Sequence, residues 1–341
     1  MTDNIAAADA ATDKHAQFQR LFLTGASGYV GRNLIRHFTA RNIAVTALVR
    51  NDAAARLVRS LGATAVTGDI LDGNLAANMA GCDSLIHAAA DTDHGPATAK
   101  QRRVNEDGTR AVMDAARKAG IKKVVHLSTE SVLATGKPII NADETTSLPR
   151  KPAGGYSRTK AAAERLALAT STQDMPVVVL RPRFIWGRDD TTALPALVQA
   201  VQSGKFAWIG GGTYLTSTTH IGNLCTAVEL ALGKGRGGEV YFISDGEPVP
   251  FRQMVSALVE TQGLTVPDKT VPRGVVRIVA AIGDLLGAMS RGKIIPPLTL
   301  QAYATSAVEV SFTIGKAQRE LGYAPVISRE EGLAELRAAQ H

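Results

Sequence analysis

Leu21-Phe22-Leu23-Thr24-Gly25-Ala26-Ser27-Gly28-Tyr29-Val30-Gly31-Arg32 is the stretch on which the reading of this chain turns. Its first four residues have the apolar character of a buried β-strand, and an amphipathic helix opens near Tyr29. Between them stand glycines three residues apart. Gly25 permits the tight turn, Gly28 lets a backbone approach a pyrophosphate, and Gly31 lets the helix pack close to the strand. The pyrophosphate then rests on the free N–H groups at the helix N-terminus. An isolated G-x-x-G-x-x-G also fits a turn that holds nothing, but its place between a first strand and an amphipathic helix favours a dinucleotide. Ser27, Tyr29 and Val30 lie in the same turn and are assigned to the cofactor with it.

Outward from this turn, short apolar runs recur at 44–49, 64–67, 84–87, 123–127 and 176–180. Helical stretches at 52–61, 97–119 and 156–170 separate them. Continuous apolar strands alternating with helices predict an α/β fold, a doubly wound parallel (Rossmann) sheet covered on both faces. Past residue 180 the rhythm loosens, with Gly210-Gly211-Gly212, the glycines of 235–238 and several prolines. The expectation is a dinucleotide-binding unit over 20–180 and a smaller, irregular substrate lobe over 181–341, some segments of which return to the sheet. Residues 1–19 read as a solvated tail. They carry neither the apolar core of a signal peptide nor the Arg-rich pattern of a transit peptide, so the cytoplasm is the default.

The chain has 341 residues, of which 45% are hydrophobic and 20% charged, enough to bury a substantial core. Its net charge of +7 comes from 38 basic and 31 acidic side chains. The basic residues are scattered with few aromatics among them, which favours a polyanionic small ligand over nucleic acid. Two cysteines, Cys82 and Cys225, exclude a disulfide framework and a Cys-rich metal site; Cys225 reads as a buried helix residue. His87, His94, His126 and His220 do not fall at metal-ligand spacing, so no metal is expected. The longest apolar region, 275–289, is interrupted by Arg277 and Asp284 and falls short of the ~20 residues a bilayer needs, so no stable membrane insertion is expected.

An NAD site would usually place an acidic residue at the end of the second strand, against the ribose. Here Ala47-Leu48-Val49 runs into Arg50-Asn51. Arg50 either meets a 2′-phosphate, with Arg32 beside it, or solvates a strand end; the first reading makes the cofactor NADP rather than NAD. Further on, Tyr156-Ser157-Arg158-Thr159-Lys160 places a phenol and an ammonium four residues apart on one helix face. An ammonium there stabilises a phenolate, so that Tyr156 can exchange a proton near neutral pH. The pair follows Ser128-Thr129, at the end of a strand, by 27 residues.

In these motifs the chain resembles the short-chain dehydrogenases/reductases, in their extended branch. The resemblance rests on Thr24-Gly25-x-x-Gly28-x-x-Gly31, Gly68-Asp69-Ile70, His87-Ala88-Ala89-Ala90, Val104-Asn105-x-x-Gly108-Thr109, Leu127-Ser128-Thr129, Tyr156-x-x-x-Lys160 and Leu180-Arg181-Pro182. Thr219-His220-Ile221-x-Asn223 and 241–248 are similar to the 3β-hydroxysteroid dehydrogenase group, close to the dihydroflavonol reductase-like group. Ala317-x-x-Glu320-Leu321-Gly322-Tyr323-x-Pro325 fits as well, and the likeness spans about 20–337.

The resemblance implies hydride transfer between NADP and a carbonyl or secondary alcohol. Tyr156 would be the acid/base. Lys160 would hold the nicotinamide ribose and depress the phenol's pKa, and Thr129, where the family usually has serine, would orient the substrate oxygen. Asp69 and Ile70 would meet the adenine, and Ala88, Ala89 and Ala90 would line the cofactor's path. Asn105 is read as ordering strand–helix packing rather than touching substrate. The helices near 97–119 and 156–170 often form a dimer contact in such proteins, which makes a homodimer the expected assembly.

Substrate contacts are expected from the later lobe and the 91–95 loop, with Asp91, His94, Arg183, Trp186 and Tyr214 as candidates. Arg183 meets an acidic substituent, the cofactor phosphates or a surface partner, and Trp186 walls the site. Residues 212–219 lack the arginine that would clamp a nucleoside diphosphate, which argues against a nucleotide-sugar epimerase or dehydratase. Segment 275–289 caps an apolar pocket, is a plain amphipathic core helix, or touches a membrane surface. Three readings stand: an NADP-dependent oxidoreductase acting on an apolar, cyclic or steroid-like small molecule, a catalytically silent NADP-binding sensor or scaffold, and a nucleotide-sugar epimerase or dehydratase.

Overall fold

The computed structural model describes residues 18–95, 97–289, 296 and 298–339. The expected tail thus falls outside the described residues except at its end. There Phe18 is buried against Phe38, and the backbone N–H of Gln19 donates to Asp83 at 2.8 Å.

Seven strands form the main sheet: β1 (Arg20–Thr24), β2 (Ala44–Val49), β3 (Thr64–Thr67), β4 (Ser84–His87), β5 (Lys123–Leu127), β6 (Val177–Pro182) and β7 (Val240–Ile243). They lie in the order β7-β6-β5-β4-β1-β2-β3, all parallel. The strand order reverses between β1 and β4, where an open parallel sheet leaves a crevice at its carboxyl ends. The central strands are buried on both faces, and one core layer joins β1, β4, β5 and β6 to the helices Tyr29–Thr39 and Ile221–Lys234. Cys225 is buried in the second of these helices. That helix packs on the sheet and β7 is its edge strand beside β6.

The expected single helix over 97–119 is instead three pieces: Ala99–Arg102, a wide π turn at Arg103–Asp107, and Gly108–Lys118. The extra residue accommodates Asn105, whose carboxamide accepts from the Asp91 N–H at 2.7 Å and donates to the Asp91 carbonyl and to Thr159 at 3.0 Å. Asn105 therefore fastens the loop after β4 to the helix Gly154–Ala169.

A second sheet pairs Val249–Pro250, Leu215–Thr216, Val310–Phe312 and Ile139–Ala142. Beside it the helix Arg273–Met289 turns Val276 and Ala280 inward onto Tyr303 and Ala307. Its other face exposes Val275, Ile278, Val279, Ile282, Leu285, Leu286 and Met289. The plain core-helix reading of 275–289 is corrected here: the larger apolar side chains point outward. Among the described residues no helix is long and apolar enough to cross a membrane.

Candidate active site

At the end of β1 the chain turns at Gly25, whose φ of +72° and a would-be Cβ only 2.7 Å from the Ala88 carbonyl carbon both require glycine. At Gly31 a Cβ would fall 2.6 Å from the Ala26 Cα, so the helix rests directly on the turn. Gly28 caps the helix in an extended conformation without a side-chain hydrogen bond, and no acidic residue occupies the first turn. The first N–H groups of that helix are therefore left for an anion.

Thr24 accepts from the Ala89 N–H at 3.2 Å, locking Ala88–Ala89 beside the turn. Asp69 is pinned by its own loop, donating from its N–H to Asp72 and accepting from Leu71, while Ile70 packs over Gly108. Arg50 is exposed at the end of β2. Arg32 donates to the Asp189 carbonyl at 2.9 Å, which draws it towards the later lobe. The side-chain-free cradle of Gly25, Gly28 and Gly31 under an uncapped helix end fits the pyrophosphate of a nicotinamide dinucleotide.

Ser128, Thr129 and Glu130 follow β5. On the helix Gly154–Ala169, Tyr156 and Lys160 sit one turn apart and both are buried. The Lys160 ammonium donates to the Leu127 carbonyl at 2.7 Å, which fixes this turn against the end of β5. Burial lowers Lys160 to about 8. Burial, and next to it the Glu130 carboxylate, push the Tyr156 phenol well above its usual range, offset in part by hydrogen bonding with Thr129. The expected depression of the phenol by Lys160 is therefore not what this arrangement produces: desolvation and a neighbouring anion dominate.

The two hydroxyls at the end of β5 each meet a buried carboxylate. Ser128 donates to Glu164 at 2.6 Å, and Glu164 takes Arg181 through Nε at 3.0 Å and Nη2 at 2.5 Å. Thr129 donates to Glu130 at 2.8 Å, and Glu130 takes Arg183 at 2.7 Å.

Candidates from the later lobe scatter. Arg183 is 3% exposed and binds Glu130, Thr216 and the Thr305 carbonyl, so it is no surface pair and its donors are engaged within the protein. Trp186 is fully buried with Leu194, Met254, Leu258 and Leu336, its indole N–H on Asp245 at 2.8 Å. Instead of walling the site, it belongs to the lobe's core. Tyr214 is buried, stacks on Phe251 and donates to the Ser306 carbonyl. His94, by contrast, lies over the phenol, its ring centre 5.0 Å from that of Tyr156, in the loop whose Asp91 is held by Asn105.

Sequence reasoning passed over Glu130 and Gln301. Gln301 accepts from the Ser157 N–H at 3.1 Å beside Tyr156. A charged residue directly after Thr129, followed by apolar Val132 and Leu133, was the available sign that a carboxylate is buried there.

The chain matches the 3-beta hydroxysteroid dehydrogenase/isomerase family over residues 22–273. It is 45% identical over 322 residues to a 4-hydroxy-2-methyl-3-oxo-4-farnesyl-3,4-dihydroquinoline-1-oxide ketoreductase of Stigmatella aurantiaca, covering 94% of this chain and 96% of the relative. A 3-beta-hydroxysteroid dehydrogenase of Mycolicibacterium neoaurum is 30% identical over 334 residues, 93% of this chain and 90% of the relative. Among solved structures, a dTDP-glucose 4,6-dehydratase from Streptomyces venezuelae with NAD bound superimposes with a TM-score of 0.71 at 25% identity, covering 94% of this chain and 96% of that one.

Proposed function

This chain belongs to the 3-beta hydroxysteroid dehydrogenase/isomerase family of nicotinamide-dependent oxidoreductases, and we propose that it is an NADP-dependent reductase of a ketone carried on an apolar, ring-containing small molecule. The observation that carries the reading is the buried Tyr156, with Lys160 one turn along its helix and fastened to the strand end that leads into Thr129.

Gly25, Gly28 and Gly31 would hold the pyrophosphate, and Arg50 the 2′-phosphate. A reduced nicotinamide cofactor held there would supply the hydride that a carbonyl carbon needs. Tyr156 keeps its proton through neutral pH, because its surroundings disfavour the phenolate, and gives it to the carbonyl oxygen as negative charge develops there. Lys160, lowered to about 8 by burial, can hold or release its own proton near neutrality one turn along the helix. His94 covers the phenol from the 91–95 loop and limits water above it.

The apolar substrate class is supported by the farnesylated compound named for the relative at 45% identity. It is also supported by the helix Arg273–Met289, whose inner face packs on the short helix Leu300–Ser306 that carries Gln301 to the Tyr156 helix and whose other face leaves apolar side chains exposed.

The test is consumption of NADPH and NADH with a panel of prenylated ring ketones, ketosteroids, aldehydes and UDP-sugars. The reading expects ketone-dependent loss of NADPH, slower loss of NADH, and a preference that Arg50→Asp reverses. Conversion of a UDP-sugar without net cofactor consumption, or binding with no turnover of any carbonyl, contradicts it.

A further inference from the structure

The buried ion pair behind Thr129 takes no part in holding the dinucleotide or in the proton transfer described above. We propose that Glu130 is a positioning residue of this site: anchored by Arg183, its carboxylate takes the hydroxyl proton of Thr129, so that Tyr156, and not Thr129, is the group that donates to the substrate oxygen. The inference rests on the carbonyl-reduction reading and adds the residue that assigns the donor.

Glu130 and Arg183 are 6% and 3% exposed. The guanidinium is immobilised from three directions, through Nη1 to Glu130 at 2.7 Å, Nε to Thr216 at 3.1 Å and Nη2 to the Thr305 carbonyl at 2.9 Å. One carboxylate oxygen of Glu130 is thereby fixed, and the other receives the Thr129 hydroxyl at 2.8 Å. A threonine hydroxyl has one proton and two lone pairs. Its proton lies on the Glu130 carboxylate at 2.8 Å rather than on the Ser131 hydroxyl at 3.3 Å, and one lone pair accepts the Ser131 N–H at 3.2 Å. What remains towards the site is an acceptor. A ketone oxygen, itself an acceptor, is then met by the phenol, whereas the product hydroxyl finds a partner in Thr129.

The charges around the phenol act in the same sense. From the end of β5 it faces Glu130 and Thr129, from the 91–95 loop the His94 ring, and from its own helix Lys160, with Arg183 behind Glu130. Glu130 adds to burial in opposing the phenolate, so the phenol remains a donor to higher pH. Arg183 makes such a carboxylate tolerable, since an unpaired buried charge would be far more costly.

Two measurements test this. Carbon-13-labelled tyrosine, with the Tyr156 signal identified by its loss in Tyr156→Phe, follows the phenol without any turnover. Glu130→Gln should move its titration down by about one pH unit, the effect of removing a neighbouring like charge; an unmoved titration overturns the proposal. In ketone reduction, Glu130→Gln should lower kcat by about tenfold with KM little changed, and should add little to Thr129→Ala, as coupled residues do. An equal loss in both backgrounds marks a merely structural role and also overturns it.

If Glu130→Gln fails to bind NADPH, Glu130→Gln/Arg183→Met removes both charges and should fold with the same titration shift; an unshifted phenol there is equally fatal. A wild-type protein inert to every ketone but showing the shift defeats the reductase reading alone. Ketone turnover with an unmoved phenol defeats the positioning role alone.

Discussion

The Ser128–Glu164–Arg181 and Thr129–Glu130–Arg183 clusters are built from the same parts, a hydroxyl, a carboxylate and a guanidinium, on adjacent residues of one strand end. Both are buried, yet they open onto different surroundings. Glu164 is gripped by Arg181 through two nitrogens, and Arg181 lies 5.4 Å from the Phe242 ring centre, in the packing between sheet and helix. Glu130 is held by one nitrogen of Arg183 and bears on Thr129 and the Tyr156 phenol. Identical chemistry serves packing in one place and a reacting group in the other. The position of Tyr156 makes the difference.

The comparison breaks most visibly in stability. Glu164→Ala leaves the Arg181 cation buried without its partner and should cost about 3–5 kcal/mol in urea unfolding. Activity per folded molecule should be retained. If Glu164→Ala instead unfolds normally but loses turnover, the two clusters have been assigned the wrong way round.

At the site end, Thr129→Ala removes the hydroxyl that Glu130 orients and should lower kcat for ketone reduction by about tenfold with little change in unfolding midpoint. Thr129→Ser should stay near wild type, and Ser128→Ala should leave kcat alone. Equal kinetic effects at 128 and 129 would erase the distinction.

A smaller effect separates folding from chemistry by pH. Burial, then Lys160, lowers His87 to about 3, and its ring is held between Thr24 and Thr109. Between the ordinary histidine range and about 3 the unfolded chain therefore binds a proton that the native protein does not, and stability falls as pH falls through that window. His87→Gln should flatten this acid-side slope by about 1.4 kcal/mol per pH unit, read from urea midpoints across the series. An unchanged slope would mean that His87 is already charged in the folded protein.

Most of the sheet was legible because its signals are local. Apolar runs at 44–49, 64–67, 84–87 and 123–127 coincide with strands, and the three glycines mark the turn that the would-be Cβ distances require. The π turn was not legible, since it answers to a contact between Asn105 and Asp91, 14 residues away. Tyr156 and Lys160 were readable as a pair on one helix. The acid beside them was missed because its cation lies 53 residues further on, and Arg183 accordingly read as meeting either a ligand or a surface partner. Trp186 was misplaced for a similar reason: its indole N–H finds Asp245, 59 residues away, inside the lobe. The helix 273–289 deceived in the opposite direction, since an apolar pattern does not say which face a neighbour will cover.

The most direct measurement is single-turnover reduction of a ketone by NADPH with Tyr156→Phe, alongside NADPH binding by fluorescence. The account predicts unchanged binding and a fall in the reduction rate of about 10²–10⁴-fold. A rate equal to wild type with intact binding would contradict it, because the proton would then come from another group.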